Sequence, residues 1–499
     1  MLRKIIKYFN KFHFEKLLLI IVLALSFIVR VYRVNDLLGF YYDQGRDALV
    51  IWDLWHNGKF FLIGPTTGIA GIFRGPYYYY LITPFYLLGG GNPVYPAVFL
   101  AFLSTLSIYL LYLLVEKIQK DKIVSLVAVV IASFSFNMVM ASRWLSNPTP
   151  MFLLSMFLIL GMFRVIDNKK YGWEIIALIS GLSLFNFGSS GELYYFLAIF
   201  IFLLLNWKNR PDLKRLLISL FLFFLTFAPL LLFDLRHGGI LRNNFFKSFV
   251  SEKSFTFPTE SLFEARIVYY YEVFSKTLFH SRQKLEILLM SFLVLGFLFF
   301  AKDLWKNKYV KVVLIVLFSP IVGLLFFQGN DTVLYEYYMT GYLLIFILLV
   351  SLVLGKIWKN ILGKLLVVLF VIVFLLNNIP VIRFKLKDKV DSTGSVALKN
   401  ELQVVDWIFE DSEEKLFNVD IYVPPVISYA YDYLFKWKSF KGGFNNLKFE
   451  NVDLLYTVYE NDSQHPERLE AWLSRQKGIG DIIEENHFGG ITIQKRIRI

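Results

Sequence analysis

The sequence contains no cysteine. Disulfides, thiolate metal centres and cysteine nucleophiles are therefore excluded, and the chain carries no mark of a redox compartment. Charge is scarce too: 18% of the 499 residues are charged, where soluble domains carry about a quarter. The six histidines (His13, His56, His237, His280, His465, His487) form no HExxH motif and no paired spacing. No metal signature results, and a divalent cation held by carboxylates stays open without a motif behind it. P-loop, GxSxG and GxGxxG are absent, so nothing supports a Rossmann-type nucleotide-sugar enzyme.

What is present is apolar. Hydrophobic residues make up 56% of the chain, with 52 Phe and 29 Tyr, and mean hydropathy is +0.54. That composition defines an integral membrane protein with lipid-facing and interfacial aromatics. Eleven stretches approach the ~20 apolar residues that a membrane helix needs. They fall near 15–34, 93–115, 122–141, 149–166, 173–189, 192–207, 214–233, 284–302, 309–327, 337–355 and 361–380. The first is long for a signal-peptide core and is followed by no small-residue cleavage site, so it reads as an uncleaved signal anchor.

The net charge of +13 is a matter of topology rather than of nucleic-acid binding. Residues 381–499 hold 16 Lys+Arg against 19 Asp+Glu, a net of −3 that leaves +16 for the rest. Those cations sit in the N-terminus (Arg3, Lys4, Lys7, Lys11, Lys16) and in every second short loop, such as Lys117–Lys122 and Lys302–Lys311. The positive-inside rule then places the N-terminus in the cytoplasm and, with an odd number of spans, the C-terminus outside. Three long pieces fall on the outer face: loops near 35–92 and 235–283, and the tail from 381. The tail alternates helical periodicity (395–410, 426–436, 467–476) with strand patterns (417–423, 452–459 and two closing strands), a small α/β domain. The expected architecture is a membrane domain over 1–380 and an extracytoplasmic α/β domain over 381–499.

Candidate chemistry gathers on the outer loops. In GFYYDQGRDALVIWDLWHNGKF, Asp43, Arg46 and Asp47 share one face of a helix that is expected to lie along the bilayer surface. Two carboxylates and a guanidinium beside a membrane suit a lipid-borne, phosphate-containing substrate. One acid serves as general base, or both simply cap the helix. Arg74, in the flexible-looking GIFRGPYYYY, can reach a phosphate or snorkel to headgroups, and the four tyrosines read as an aromatic belt. Arg143 and Asn147 stand in the turn ASRWLSNPTP, facing an outer cavity or anchoring at the interface. Glu192 is the only charge of the turn NFGSSGELYY, a substrate contact or a solvated residue. Arg236 and His237 end the seventh span as DLRHGG, fit to pair a phosphate with Asp234 fixing one of them, or a local ion pair.

The whole arrangement resembles the GT-C superfamily of membrane glycosyltransferases, within it the protein O-mannosyltransferase-like family and the lipid A aminoarabinose transferases. The resemblance covers residues 1 to about 380. It rests on one span, a large outer loop opening with YYDQGRD, then many spans carrying SRWLSNPTP and FDLRHGG. It implies a polyprenyl-phosphate sugar donor, a hydroxyl-bearing acceptor, transfer of a hexose or pentose at the outer face of the cell membrane, and a catalytic acid that falls on Asp43. The family's following Glu is Gln44 here, and an acid expected after Arg143 is Asn147, so Asp47 or Glu192 takes that place or the function is lost. On this view Asp43 and Asp47 are catalytic, Arg74, Arg143, Arg236 and His237 bind the donor phosphate, and Arg46, Asn147 and Glu192 bind substrate. A lipid flippase or other transporter would want charges at mid-span and two similar halves, which the sequence does not offer. A polymerase or ligase of lipid-linked glycans shares the outer-face chemistry.

Overall fold

The computed structural model describes residues 14–67, 71–248, 259–280, 284–327, 333–388, 390, 392, 394–424 and 427–499. The basic residues Arg3 to Lys11, counted toward a cytoplasmic N-terminus, lie outside them. Each of the eleven apolar stretches forms helix: α1 (Phe14–Val31), α4 (Val94–Gln119), α5 with α6 (Lys122–Phe134, Phe136–Ser142), α7 (Met151–Ile166), α8 (Gly172–Leu182), α9 (Tyr195–Leu205), α10 (Leu213–Arg236), α13 (Lys284–Lys306), α14 (Lys308–Phe326), α15 (Thr340–Ile357) and α16 (Ile361–Leu386). Among the described residues, six helices are long and apolar enough to cross a membrane, seven if the bent pair α5–α6 is one span. Helices α7, α8 and α9 are shorter. Helix α15 is buried along nearly its whole length, while α10, α13 and α16 expose broad apolar faces. The bundle is thus packed around α15 with lipid-facing helices outside.

Two further helices, α2 (Tyr42–Asn57) and α3 (Tyr77–Leu88), lie between α1 and α4, and α11 (Ile240–Phe246) and α12 (Glu260–Leu278) lie between α10 and α13. The tail folds as expected: α17 (Leu398–Ser412), β1 (Phe417–Tyr422), α18 (Tyr429–Gly442), β2 (Leu454–Glu460), α19 (Pro466–Lys477), β3 (Gly480–Phe488) and β4 (Ile491–Arg498). The sheet order is β1-β2-β4-β3, with β1 parallel to β2 and the other pairs antiparallel. The parallel pair requires a crossover, which α18 supplies. The inner strand β2 is buried over its first five residues, whereas the edge strand β3 carries Glu484 and Glu485, a charged edge that discourages further pairing.

Helix α2 does not lie bare on a bilayer. Its apolar side (Ala48, Ile51, Trp52) is buried, and α18 covers it: Trp52 meets Phe440 and Tyr433 with ring centroids 5.3 and 6.1 Å apart. The surface helix was expected from its amphipathic pattern, but protein rather than lipid takes the apolar face. Helix α18 also reaches the turn after α3, where Tyr433 Oη donates to Gly91 O (2.5 Å) and Trp437 Nε1 to Gly90 O (2.7 Å). The tyrosines of the GPYYYY run are no aromatic belt either. Tyr78 and Tyr79 are buried, and Tyr80 Oη donates to Phe61 O at 2.8 Å.

Contact between α2 and α18 is closest at Gly45. A β-carbon there would lie 2.3 Å from the Ala430 backbone nitrogen, a clash that no side-chain rotation relieves. Gly45→Ala is expected to push α18 away from α2 and to destabilise the protein by about 1–3 kcal/mol. Thermal unfolding of the detergent-solubilised protein, with limited proteolysis of residues 381–499, checks this; an unchanged transition and cleavage pattern would refute the close packing.

Candidate active site

The helix break between α5 and α6 shapes this end of the bundle. The pair bends by 62° at Ser135 without proline or glycine. A break in an apolar layer frees backbone groups that must find partners. Arg30 donates to Ala132 O (3.0 Å) and Ser133 O (3.1 Å), and Asn378 Oδ1 accepts from Phe136 N (2.8 Å). Ser135 Oγ donates to Thr277 O at 2.7 Å. Helix α6 then delivers the turn Arg143–Pro148 to the mouth of a cavity of about 670 Å³.

On α2, Tyr41 N donates to Gln44 Oε1 (3.1 Å), while Gln44 Nε2 donates to Leu145 O (3.0 Å). An amide both accepts and donates, which an ionised glutamate cannot do. That requirement accounts for Gln44 where the resembled family carries Glu. One turn on, Arg46 Nη1 meets Asp43 Oδ1 at 2.7 Å and Arg46 Nη2 meets Asp47 Oδ1 at 2.8 Å. The Tyr79 hydroxyl donates to the same Asp47 oxygen at 3.1 Å. Burial pushes Asp47 up to about 6 against the downward pull of Arg46. Burial alone would lower Arg46, but Asp47 and Asp43 hold it above its ordinary value.

The cavity has two ends. Asp43, Thr66, Arg74, Ser146, Asn147, Ser189, Asp234 and Arg242 make it polar on one side. Phe185, Phe196, Phe227, Leu230 and Leu231 continue it as an apolar groove beside α10. Arg74 is not on a flexible loop: Arg74 N donates to Pro65 O (3.0 Å), Gly64 N to Arg74 O (2.7 Å) and Gly75 N to Phe185 O (2.6 Å). Among the described residues its guanidinium has no hydrogen-bond or ion-pair partner, only the longer-range fields of Glu192, Tyr337 and Tyr338. Burial lowers its pKa and Glu192 opposes that. A half-buried guanidinium without a partner, facing a cavity, calls for an anion.

Asp43, Arg74 and Asn147 all line the cavity, and the other sequence candidates do not. Asp47 is buried behind Arg46 and does not line the cavity. Arg46 is saturated by the two acids and Thr66. Arg143 donates to Val29, Arg30 and Tyr32 carbonyls at 3.2, 2.8 and 3.0 Å, capping the C-terminal end of α1. Glu192 is buried, accepting from Ser189 N (2.6 Å) and Gly341 N (2.8 Å), and ties its turn to α15. Arg236 and His237 are exposed outside the cavity, with His237 stacked on Phe233 at 4.0 Å.

Sequence reasoning missed Arg242. Asp234 Oδ1 accepts from Leu241 N (2.8 Å) and Arg242 N (3.2 Å), capping α11 and setting Arg242 at the cavity wall. The Asp five residues before Gly239-Ile240 was the available signal, read instead as fixing Arg236 or His237. Among the described residues no three His, Asp or Glu side chains converge as a metal site.

This is the GT-C fold of membrane glycosyltransferases. Residues 74–233 match the family model described as dolichyl-phosphate-mannose-protein mannosyltransferase. Among solved structures, the chain is similar to ArnT from Cupriavidus metallidurans bound to undecaprenyl phosphate: TM-score 0.60 at 10% identity, covering 95% of this chain and 97% of that one. The apo state of the same protein gives 0.60 at 8% identity over the same shares. No curated protein matches the sequence. The family match spans about a third of the chain, and the likeness to ArnT is one of fold.

Because Arg143 caps three carbonyls, its loss is a matter of stability. Arg143→Ala should lower folding stability by about 1–3 kcal/mol through unpaired backbone oxygens, while Arg236→Ala leaves the melting temperature unchanged. Parallel thermal unfolding of the two variants in detergent tests this; equal melting temperatures would return Arg143 to the list of ligands.

Proposed function

We propose that the protein transfers a sugar from a polyprenyl-phosphate donor to a hydroxyl acceptor at the outer face of the cell membrane, with inversion at the sugar's C1. The observation that carries this reading is one cavity joining two carboxylates (Asp43 and Asp234), two guanidiniums and an apolar groove open toward the exposed face of α10. ArnT, of like fold, was crystallised with undecaprenyl phosphate. In the proposed complex the phosphate sits against Arg74 and Arg242, and the isoprenoid lies along Phe185, Phe196 and Phe227.

Asp43 is the general base. Its Oδ1 is taken by Arg46, and Oδ2 has no partner among the described residues. The acceptor oxygen attacks C1 from the face opposite the phosphate and loses its proton to Asp43. The C1–O bond to phosphate breaks with its electron pair on the leaving oxygen, where Arg74 and Arg242 stabilise the growing charge. Asp47, held by Tyr79, fixes the Arg46 fork that aims Asp43. A cytoplasmic N-terminus completes the reading. Lys117 and Lys308 pair with Asp167 at the opposite end of the bundle from the cavity, where basic loops belong on the inner side.

Asp43→Asn is expected to abolish release of polyprenyl phosphate from a labelled lipid-phosphate sugar while donor binding persists; near-normal turnover removes Asp43 from the role. Arg74→Ala should weaken donor binding about 10–100-fold, the loss of a charge-assisted contact. An unchanged donor affinity counts against it.

A pH profile tests Asp47 separately. As pH falls through about 6, Asp47 takes a proton and releases Arg46 to Asp43 alone, so kcat should fall on the acid side. Folding stability runs the other way. The native group keeps its proton up to about 6, whereas an unfolded one loses it near 3.8, so this group weakens the fold as pH rises across that window. Asp47→Asn should be slow at every pH and lack the acid limb; a wild-type kcat that stays flat through pH 6 overturns the assignment.

A further inference from the structure

A second, smaller cavity of about 270 Å³ abuts the first. Trp144, Pro148 and Tyr337 line both, so those three side chains form the partition. We propose that this second cavity is the acceptor subsite and that it takes a carbohydrate ring. The proposal rests on the donor reading above for its place in the reaction, but not for the binding it asserts.

The chemistry of the lining carries it. Two flat aromatic surfaces meet there: Tyr335 stacks on Tyr337 (centroids 5.6 Å apart, planes at 13°), and Trp144 stands edge-on to Tyr337 at 5.9 Å. A pyranose offers an apolar C–H face to such rings and hydroxyls around its rim. The polar groups are arranged for that rim. The half-buried Asn137 amide makes no hydrogen bond among the described residues. Thr149 Oγ1 and Thr340 Oγ1 each donate to a backbone carbonyl at 2.8 Å, which leaves their lone pairs to accept from a ligand. Glu336, the cavity's only charged residue, is paired with Lys276.

This set discriminates between acceptors. No Arg or Lys lines the cavity, so a phosphate-bearing acceptor would meet a carboxylate without a cation of its own. A peptide hydroxyl would want backbone partners such as a strand edge, and the walls are helices, turns and side chains. A volume just below the ~300–1,000 Å³ of pockets for drug-sized ligands suits a single ring rather than a folded chain. The neutral, hydroxyl-rich ligand is the one that satisfies the lining.

The test uses the full-length protein in nanodiscs with methyl hexopyranosides as probes, read by saturation-transfer NMR and by transfer from a labelled polyprenyl-phosphate sugar. Asn137→Ala removes the free amide, and Ala141→Leu fills the cavity from α6. Each should weaken glycoside binding about tenfold, the value of one or two hydrogen bonds, with polyprenyl-phosphate affinity unchanged. Asn137→Gln should restore part of the loss. Glycoside binding that neither variant alters overturns the subsite, as does displacement of the glycoside by a serine-containing peptide of higher affinity. If the wild type never releases polyprenyl phosphate yet both variants lose glycoside binding, the donor reading fails and the carbohydrate subsite stands. If release occurs and neither variant changes the KM for glycoside acceptors, the subsite fails and the donor reading stands.

Discussion

Backbone groups freed inside an apolar layer must be paired, and this requirement organises the polar residues of the whole bundle. Arg30 and Asn378 hold the break at Ser135, Arg143 closes the end of α1, and Arg266 donates to Leu324 O and Phe327 O at 3.2 Å each. Asn186 does the same near the cavity, with Nδ2 donating to Thr226 O at 2.9 Å. A cation at a helix C-terminus also meets the negative end of the helix dipole, so arginine suits these places doubly. Polar side chains employed this way are lost to substrate.

That constraint separates what the sequence reveals from what it hides. Apolar runs of about 20 residues and period-two strands are local signals, so all eleven apolar stretches were legible as helices, six or seven of them long enough to cross a membrane among the described residues, and so was every element of the tail. The site was legible only in part. Asp43, Arg74 and Asn147, which line the cavity, stand in polar segments between the apolar stretches. Arg143 and Glu192 stand in such segments as well, and no local pattern tells a residue that faces a cavity from one that faces a carbonyl 113 positions away, as Arg143 does at Arg30. Arg242 was passed over for the opposite reason. It lies beyond the helix end where attention fell on Arg236, and only the capping of α11 by Asp234 turns it toward the cavity.

The paired acids of α2 show how burial divides two similar groups. Asp43 and Asp47 are four residues apart on one helix face and share one arginine, yet the first faces the cavity and the second is enclosed by Tyr79 and the body of the bundle. Spacing predicts that they meet; only packing decides which of them touches solvent. An acid kept behind a guanidinium fixes that guanidinium's direction, and an acid in front of it receives a fixed partner. The same three residues without the wall of α3 would be an exposed ion-pair cluster of little consequence.

The α/β tail enters the same chain of causes. Helix α2 carries the candidate base but has few apolar residues of its own to bury against the bundle, and its Ala48–Ile51–Trp52 side requires a cover. Helix α18 supplies that cover and is itself fixed to the carbonyls of Gly90 and Gly91, in the same segment between α1 and α4. The tail therefore sets the orientation of α2 through close packing at Gly45 and aromatic contact at Trp52, without lining the cavity. A rigid wall of this kind lets α2 hold a carboxylate at a fixed place beside the apolar groove. Had lipid covered α2 instead, as its sequence pattern suggested, the helix could slide and tilt with the bilayer surface, and a base aimed to within a fraction of an ångström would be lost.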